Sequence, residues 1–85
     1  MDQENEILQF LRDAAVEYLE IDSDRIQMTT SFDELDIDSL DVIELCKAVE
    51  DEFNVELPDD TIKTLQTVRD LVYAIAKLRR LDDHL

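Results

Sequence analysis

The chain has 85 residues, 45% of them hydrophobic, with 23 acidic and 8 basic residues and a formal net charge of −15. A chain of this length forms one small domain, residues 1–85, whose modest core leaves little room for a pocket that performs chemistry unaided. Residues 1–60 carry a net charge of −17, which repels phosphate backbones and anionic lipids. We therefore expect neither nucleic acid nor membrane as a partner, and favour proteins that present basic patches.

The single cysteine, Cys46, excludes an intramolecular disulfide, and no cysteine–histidine cluster predicts a metal site. The acidic amino terminus lacks the basic and apolar regions of a signal peptide, and no run of 18 apolar residues occurs. The sequence therefore predicts a soluble, cytoplasmic protein, in which Cys46 is buried and inert.

Apolar residues at helical spacing predict the first helix over residues 4–19, with a core face formed by Ile7, Leu11, Ala14 and Tyr18. A long connection follows over residues 20–38, with a short turn expected at 30–35 (TSFDEL). A connection of that length in a compact domain is usually functional or mobile.

The second helix is predicted to begin at Ser39 and to end at Phe53. Asp38 is its expected N-cap, with Asp41 three residues later, and Asn54 is its expected left-handed C-cap. Its core stripe is predicted to consist of Val42, Leu45, Cys46, Val49 and Phe53.

A second flank of this helix holds Leu40, Ile43 and Lys47, at roughly 100–160° from Val42. Two apolar residues ringed by carboxylates indicate a docking surface with apolar anchors and a charged rim. The alternative is that Leu40 and Ile43 pack against the connection over residues 20–38.

Residues 57–65 (LPDDTIKTL) predict a short third helix with Pro58 near its start. The segment TVRD, residues 67–70, predicts a fourth helix capped by Thr67. Its apolar stripe is expected to consist of Val68, Leu71, Val72, Ile75 and Leu78. Since no segment shows sustained strand alternation, the sequence predicts an all-α fold, a small bundle of three main helices plus one short helix.

Ser39 lies in an acid-rich segment, residues 33–45 (DELDIDSLDVIEL), which has six carboxylates and no basic residue. The residues alone leave three roles open: a helix cap, a catalytic nucleophile, or an attachment point for a group that another protein adds. A nucleophile is disfavoured because the carboxylates oppose alkoxide formation and the chain has no glycine for a nucleophile elbow. The one histidine, His84, is expected to belong to a frayed tail.

The segment DIDSLDVIEL resembles the modification site of acyl carrier proteins, and the resemblance continues through EDEF, LPDD and TV at the family's spacing. It implies that Ser39 receives 4′-phosphopantetheine from coenzyme A through a separate Mg²⁺-dependent phosphopantetheinyl transferase. The thiol of this arm then carries acyl thioesters between partner enzymes with basic patches, such as ketosynthases and acyl-transferring enzymes, in fatty acid, polyketide or related biosynthesis. The chain itself is expected to be a monomeric carrier and not an enzyme. The resemblance implies a partner-recognition set that consists of Asp38, Leu40, Asp41, Ile43, Glu44 and Glu50, with Lys47 on the same flank.

Three positions depart from the typical carrier of fatty acid synthesis. Asp36 stands where a glycine commonly precedes Asp-Ser-Leu, and Arg69 stands where TVGD is usual. Lys47 stands where an apolar residue, often methionine, joins the docking flank. Because Lys47 would repel a basic partner patch that suits the ordinary carrier, it favours a specialised carrier.

Two other functions compete with this interpretation. A small acidic interaction domain that carries no arm would share the composition and the helical pattern. A calcium-binding EF-hand loop requires an acid at position 5, glycine at position 6 and glutamate at position 12. Counted from Asp36, these positions hold Leu40, Asp41 and Lys47, so the EF-hand spacing fails.

Overall fold

The computed structural model describes residues 3–83, with side chains as far as residue 79. Its helices are α1 (Gln3–Leu19), α2 (Ser39–Phe53), α3 (Asp59–Thr64) and α4 (Val68–Asp83). Two short 3₁₀ helices, Ser23–Arg25 and Phe32–Leu35, interrupt the connection between α1 and α2. Residues 3–83 contain no strand, so the all-α prediction of three main helices and one short helix is confirmed. The prediction for His84 lies outside the described residues.

The core lies where the apolar faces of α1, α2 and α4 meet, and residues of the long connection add to it. Leu45, Cys46 and Val49 are buried as predicted for α2, while Val42 and Phe53 are partly buried against the same cluster. The ring of Phe53 packs edge-to-face on Phe10, with 5.7 Å between centroids and an interplanar angle of 84°. Such a T-shaped contact suits the quadrupoles of two aromatic rings. Among residues 3–83, no helix is long and apolar enough to cross a membrane.

The prediction that Tyr18 belongs to the core is wrong, because 57% of this residue is exposed. Tyr18 lies in the last turn of α1, and Glu20 then takes up a left-handed backbone conformation with φ of 56°. The next residue, Ile21, is buried, and its N–H donates to the carbonyl oxygen of Ala15 at 3.1 Å. The reversal of the chain thus buries Ile21 at this end of the bundle and leaves Tyr18 on the surface.

The helix ends follow the predicted capping residues. At α4, the N–H of Asp70 donates to Oγ1 of Thr67 at 3.2 Å, and the N–H of Thr67 donates to Oδ2 of Asp70 at 3.1 Å. At the end of α2, Asn54 is left-handed with φ of 55°, and the N–H of Val55 donates to the carbonyl of Glu50 at 3.1 Å, as in a Schellman motif. α3 is shorter than predicted and begins after Pro58.

The long connection is fixed to the rest of the bundle by its backbone. Phe32 donates its N–H to the carbonyl of Gln66, and Val68 donates to the carbonyl of Thr30, both at 2.9 Å. These bonds flank an isolated antiparallel bridge between residues 31 and 67. The guanidinium of Arg25 also donates to the carbonyl of Glu34 at 2.9 Å. The two backbone bonds thus join the connection to the segment at the start of α4 and satisfy polar backbone groups on both sides.

Candidate functional site

Ser39 is the first residue of α2, and it is exposed. The cap before it is Asp38, whose carboxylate accepts the N–H of Asp41 at 3.0 Å, while the carboxylate of Asp41 accepts the N–H of Asp38 at 3.3 Å. This reciprocal capping box fixes where the helix starts. The hydroxyl of Ser39 makes no hydrogen bond within residues 3–83. Ser39 is therefore not the cap, and its side chain is accessible from solvent.

The turn that precedes Ser39 accommodates Asp36 at a position where glycine is common. This residue has φ of 56° and ψ of 34°, the left-handed region where glycine is the usual choice, and its N–H donates to the carbonyl of Asp33 at 3.3 Å. Aspartate tolerates this region better than most residues because its short side chain can bond locally. Ile37, the next residue, packs against the core and anchors the turn. The turn thus forms with aspartate at position 36.

A groove of about 360 Å³ runs beside Ser39, between the long connection, α2 and α3. Its apolar lining consists of Phe32, Ile37, Val42, Ile43, Ile62 and Leu65. Asp33, Asp38 and Lys63 add charge to its rim. A long flexible group on Ser39 therefore has both open solvent and an apolar surface beside it, so the residues fit a covalently attached arm.

The flank of α2 beyond Ser39 is exposed at its first turn. Leu40 is 71% exposed, more than any other large hydrophobic residue that the structure describes. The packing alternative for this residue is therefore wrong, whereas Ile43 is partly covered and lines the groove beside Ser39. Glu44 and Lys47 are exposed on the same helix. An exposed leucine among charged residues is the composition expected of a contact surface.

Glu50, which belongs to the predicted partner-recognition set, also has a role within the fold. Its Oε2 accepts the N–H of Leu57 at 3.2 Å, which ties the end of α2 to the segment before α3. Its charge adds to the effect of burial on Cys46, and together they raise the pKa of that thiol to about 11. At neutral pH, Cys46 is thus protonated, buried and a poor nucleophile.

Lys63 is a feature of the site that the sequence analysis missed. It is exposed on α3, and it lines the groove beside Ser39 as well as a second groove of about 650 Å³ that contains Lys47. α3 has six residues, too few for an apolar period to show which side faces α2. The signal in the sequence that could have indicated this position was an apolar residue followed directly by a lysine, Ile62–Lys63, in a chain with few basic residues. Within the described part of the chain, no group of three or more His, Cys, Asp or Glu side chains could hold a metal ion.

Three comparisons with known proteins agree with this geometry. The family model described as "Phosphopantetheine attachment site" matches residues 9–75. An acyl carrier protein of Bdellovibrio bacteriovorus is 41% identical over 68 residues, which are 79% of this chain and 87% of that relative. The crystal structure of an acyl carrier protein from Thermotoga maritima is similar to the whole fold. Its TM-score is 0.85 at 28% identity, and the match covers 98% of this chain and 95% of that chain.

Proposed function

We propose, from the premise that the chain belongs to the acyl carrier protein family of phosphopantetheine-attachment domains, that Ser39 is the residue that receives the 4′-phosphopantetheine arm. Members of this family carry acyl groups and work with acyl-handling enzymes. The group supplies a flexible arm whose terminal thiol forms thioesters with the cargo. What this chain adds is the attachment point and the surface that partner enzymes recognise.

The observation that carries the proposal is the state of the Ser39 hydroxyl, which is exposed and unbonded at the start of a 15-residue helix. The chain has two other serines. Ser31 is a cap whose Oγ accepts the N–H of Glu34 at 3.3 Å, so its oxygen is engaged. Ser23 is exposed within a three-residue 3₁₀ helix, remote in sequence from the docking flank. Ser39 alone combines a free oxygen with an adjacent apolar anchor, Leu40, and an apolar groove.

The transfer requires a partner because this site cannot activate its own oxygen. Asp33 and Asp38 line the groove with Ser39, and their negative charges raise the cost of an alkoxide. In the proposed reaction, Oγ of Ser39 attacks the phosphorus of coenzyme A that bears the pantetheine. The bond from this phosphorus to 3′,5′-adenosine bisphosphate breaks, and the hydroxyl proton passes to a base of the transferase, which also holds the Mg²⁺. The chain is therefore a carrier and supplies no catalytic group.

The charge around Ser39 favours an extended arm. Exposed N–H groups and the helix dipole at the start of α2 attract the phosphodiester. Asp36, Asp38 and Asp41 lie within three residues of Ser39 in the sequence, and their negative charges oppose the phosphodiester. Because these effects oppose each other, we expect the domain to hold the phosphate weakly, and the arm to reach into a partner's active site.

The partner-recognition surface in this proposal combines one apolar anchor with a charged rim. Leu40 and Ile43 provide the apolar contact, and the remaining members are Asp38, Asp41, Glu44, Lys47 and Glu50. The acids match a basic patch on a transferase, ketosynthase or acyl-transferring enzyme. Lys47 interrupts the acidic rim and favours a carrier specialised for one pathway of fatty acid, polyketide or related biosynthesis. We further propose a single carrier domain that acts as a cytoplasmic monomer.

The test is the intact mass of the protein after incubation with coenzyme A, Mg²⁺ and a broad-specificity phosphopantetheinyl transferase. The wild type should gain the mass of one phosphopantetheinyl group. Ser39→Ala should gain nothing, and Ser23→Ala is the matched control that should gain the full mass. Circular dichroism establishes that each variant is folded. A wild type that stays unmodified would contradict the proposal and favour the acidic interaction domain without an arm.

A further inference from the structure

The backbone of Arg25, in the connection between α1 and α2, is held by several hydrogen bonds. Its N–H donates to the carbonyl of Asp22 at 3.0 Å, and its carbonyl accepts the hydroxyl of Thr30 at 3.1 Å. The next residue, Ile26, is buried, and its carbonyl accepts the Nε–H of Arg12 on α1 at 2.9 Å. The backbone at Arg25 is therefore joined to α1 and to the core, while its own side chain is exposed.

The side chain of Arg25 caps the second 3₁₀ helix, Phe32–Leu35. Its Nη2 donates to the carbonyl of Glu34 at 2.9 Å. The carbonyl of Asp33 accepts the N–H of Asp36 at 3.3 Å, whereas the carbonyl of Glu34 has the guanidinium as its partner. Carbonyls at the end of a helix lack partners within it, and an arginine side chain can supply one. Arg25 thus satisfies a carbonyl that the last turn of this helix leaves open.

This bond joins the two parts of the connection. Within the described range 3–83, it is the one hydrogen bond between residues 20–30 and residues 32–41. The second part continues through the buried Leu35, the left-handed Asp36 and the core-packed Ile37 to the exposed Ser39. These residues form the surface directly before Ser39, which any enzyme that modifies its hydroxyl must approach.

Arg25 also lies beside the first turn of α2. It lines a groove of about 510 Å³ together with Leu35, Asp36, Ile37 and Asp41, and Asp41 belongs to the capping box that starts α2. Four carboxylates and this one cation line the groove, and the guanidinium forms no ion pair with a carboxylate of the described residues. The groove thus stays acidic with Arg25 present, so we assign the effect of Arg25 to its hydrogen bond and not to its charge.

We propose that Arg25 is a positioning residue for the modification of Ser39, because its bond to the carbonyl of Glu34 holds residues 34–38 in the conformation that a phosphopantetheinyl transferase binds. This inference rests on the proposed carrier function and adds a residue outside the predicted partner-recognition set. Arg25 bonds neither to Ser39 nor to the cap at Asp38, and it therefore acts through the backbone of the turn.

A positioning role predicts a change in KM and not in kcat. When the bond is lost, only a fraction of the carrier molecules has the turn in the competent conformation, and the apparent affinity falls by that fraction. In the complex that does form, the attacking oxygen and the transferase are unchanged, so the rate of the chemical step is the same.

The loss of the bond and the loss of the charge predict opposite changes in KM. Arg25→Met removes both, and it makes a carrier of net charge −15 more negative by one unit. A transferase with a basic docking patch attracts the more acidic carrier more strongly, which would lower KM. A turn that is no longer held raises KM. The direction of the change therefore distinguishes a positioning residue from a surface charge.

The first measurement is the steady-state kinetics of such a transferase with saturating coenzyme A and a varied concentration of carrier. Arg25→Met should raise KM about threefold and leave kcat unchanged. Arg25→Lys keeps the charge and a donor, and it should restore most of the wild-type KM. The matched control is Arg79→Met, which removes the same charge and a 3.1 Å bond to Glu6. Arg79 lies over the ring of Phe53 at the far end of α2, so this variant should not raise KM.

The second measurement is hydrogen exchange of the backbone amides of Leu35 and Asp36. Both should exchange about threefold faster in Arg25→Met than in the wild type, and at the wild-type rate in Arg79→Met. Circular dichroism establishes that each variant is folded.

Four results would overturn the positioning role. They are an unchanged or lower KM in Arg25→Met, an equal rise of KM in Arg79→Met, a KM in Arg25→Lys as high as in Arg25→Met, and a fall in kcat at unchanged KM. Unchanged exchange at Leu35 and Asp36 in Arg25→Met would also overturn it. These outcomes all require that the wild type is modified. If the wild type does not gain the group, the proposed function itself fails.

Discussion

The starts of α2 and α4 use the same local device for opposite purposes. Each begins with a reciprocal capping box, Asp38 with Asp41 and Thr67 with Asp70. In α4 the residue after the cap is Val68, which is 1% exposed. In α2 the cap is followed by an exposed serine and then by a leucine that is 71% exposed. A capping box thus fixes where a helix begins, and the next residues decide whether that end belongs to the core or faces a partner.

The starts of α2 and α4 also differ in the number of hydrogen bonds that join them to neighbouring segments. The carboxylate of Asp70 accepts the N–H groups of both Gln66 and Thr67, at 3.0 and 3.1 Å, and these bonds hold its pKa below the ordinary value. The antiparallel bridge between residues 31 and 67 adjoins this cap. The start of α2 has only the capping box of Asp38 and Asp41, with the turn at Asp36 preceding it in the sequence. The difference predicts that changes at α4 act on stability and changes at α2 act on function.

The largest expected effect on stability is at a buried leucine of α4. Leu71 is fully buried, so Leu71→Ala should lower the free energy of unfolding by about 3 kcal/mol through lost burial and the cavity that remains. Leu40→Ala should change it by less than about 0.5 kcal/mol, because this side chain is exposed. Urea denaturation measures both, with Leu71→Val as the milder variant if Leu71→Ala does not fold. Equal losses of unfolding free energy in Leu71→Ala and Leu40→Ala would contradict the distinction between the buried and the exposed helix start.

Substitutions at the two caps should lower the free energy of unfolding by less than Leu71→Ala does. They should differ from each other in their effect on the modification of Ser39. Thr67→Ala and Asp38→Ala should each destabilise the fold by about 1 kcal/mol through loss of a cap. Asp38→Ala should also slow modification of Ser39, since it removes a rim charge, while Thr67→Ala should leave that rate unchanged in the folded protein. Asp38→Asn keeps the cap and removes the charge. A normal modification rate for Asp38→Asn would show that the charge of Asp38 takes no part in docking.

The stability that Asp70 contributes should depend on pH. Because hydrogen bonds from the N–H groups of Gln66 and Thr67 lower its pKa from 3.8, the ionised carboxylate favours the folded state. Its contribution is fully present above that ordinary pKa and is lost as the pH falls through the lower value of the folded protein. Asp70→Asn should therefore be less stable than the wild type near neutral pH, by less than about 1 kcal/mol. The gap should close well below pH 3.8, and a gap that widens there would contradict the assignment.

The smallest effect is expected at the turn before Ser39. Asp36 already holds the left-handed conformation, so Asp36→Gly relieves some strain but increases the entropy of the unfolded chain. The two effects oppose each other, and we expect a net change within about 0.5 kcal/mol and an unchanged rate of Ser39 modification. Thermal unfolding and the transferase assay measure these quantities. A large loss of either would show that the side chain of Asp36 has a separate role.

The sequence predicts well those features that depend on residues close together in the chain, such as the starts and ends of helices. Both helix starts and the left-handed end at Asn54 follow from capping residues within four positions, and the structure has them as predicted. Tyr18 was misplaced because its periodic position is correct for an isolated helix, while the reversal at Glu20 is set by packing beyond the helix. The same holds for the pairing of the long connection with residues 66–68, which joins segments far apart in sequence.

The candidate site was predicted unevenly for the same reason. Asp38 and Asp41 are recognisable as a cap from their spacing, but spacing alone could not distinguish a free Ser39 hydroxyl from a bonded one. The exposure of Leu40 depends on where the connection over residues 20–38 runs, and no local pattern gives that path. Lys63 joins Lys47 because α3 packs beside α2, a relation between two helices that periodicity within either cannot show.

The most direct test of the account locates the added group on the chain. After the transferase reaction, the protein is cleaved and its peptides are fragmented in a mass spectrometer, so that each of the three serines is assessed separately. We predict a phosphopantetheinyl group on Ser39 and unmodified Ser23 and Ser31. A group on either of those two residues, with Ser39 unmodified, would contradict the claim that the exposed start of α2 is the attachment site.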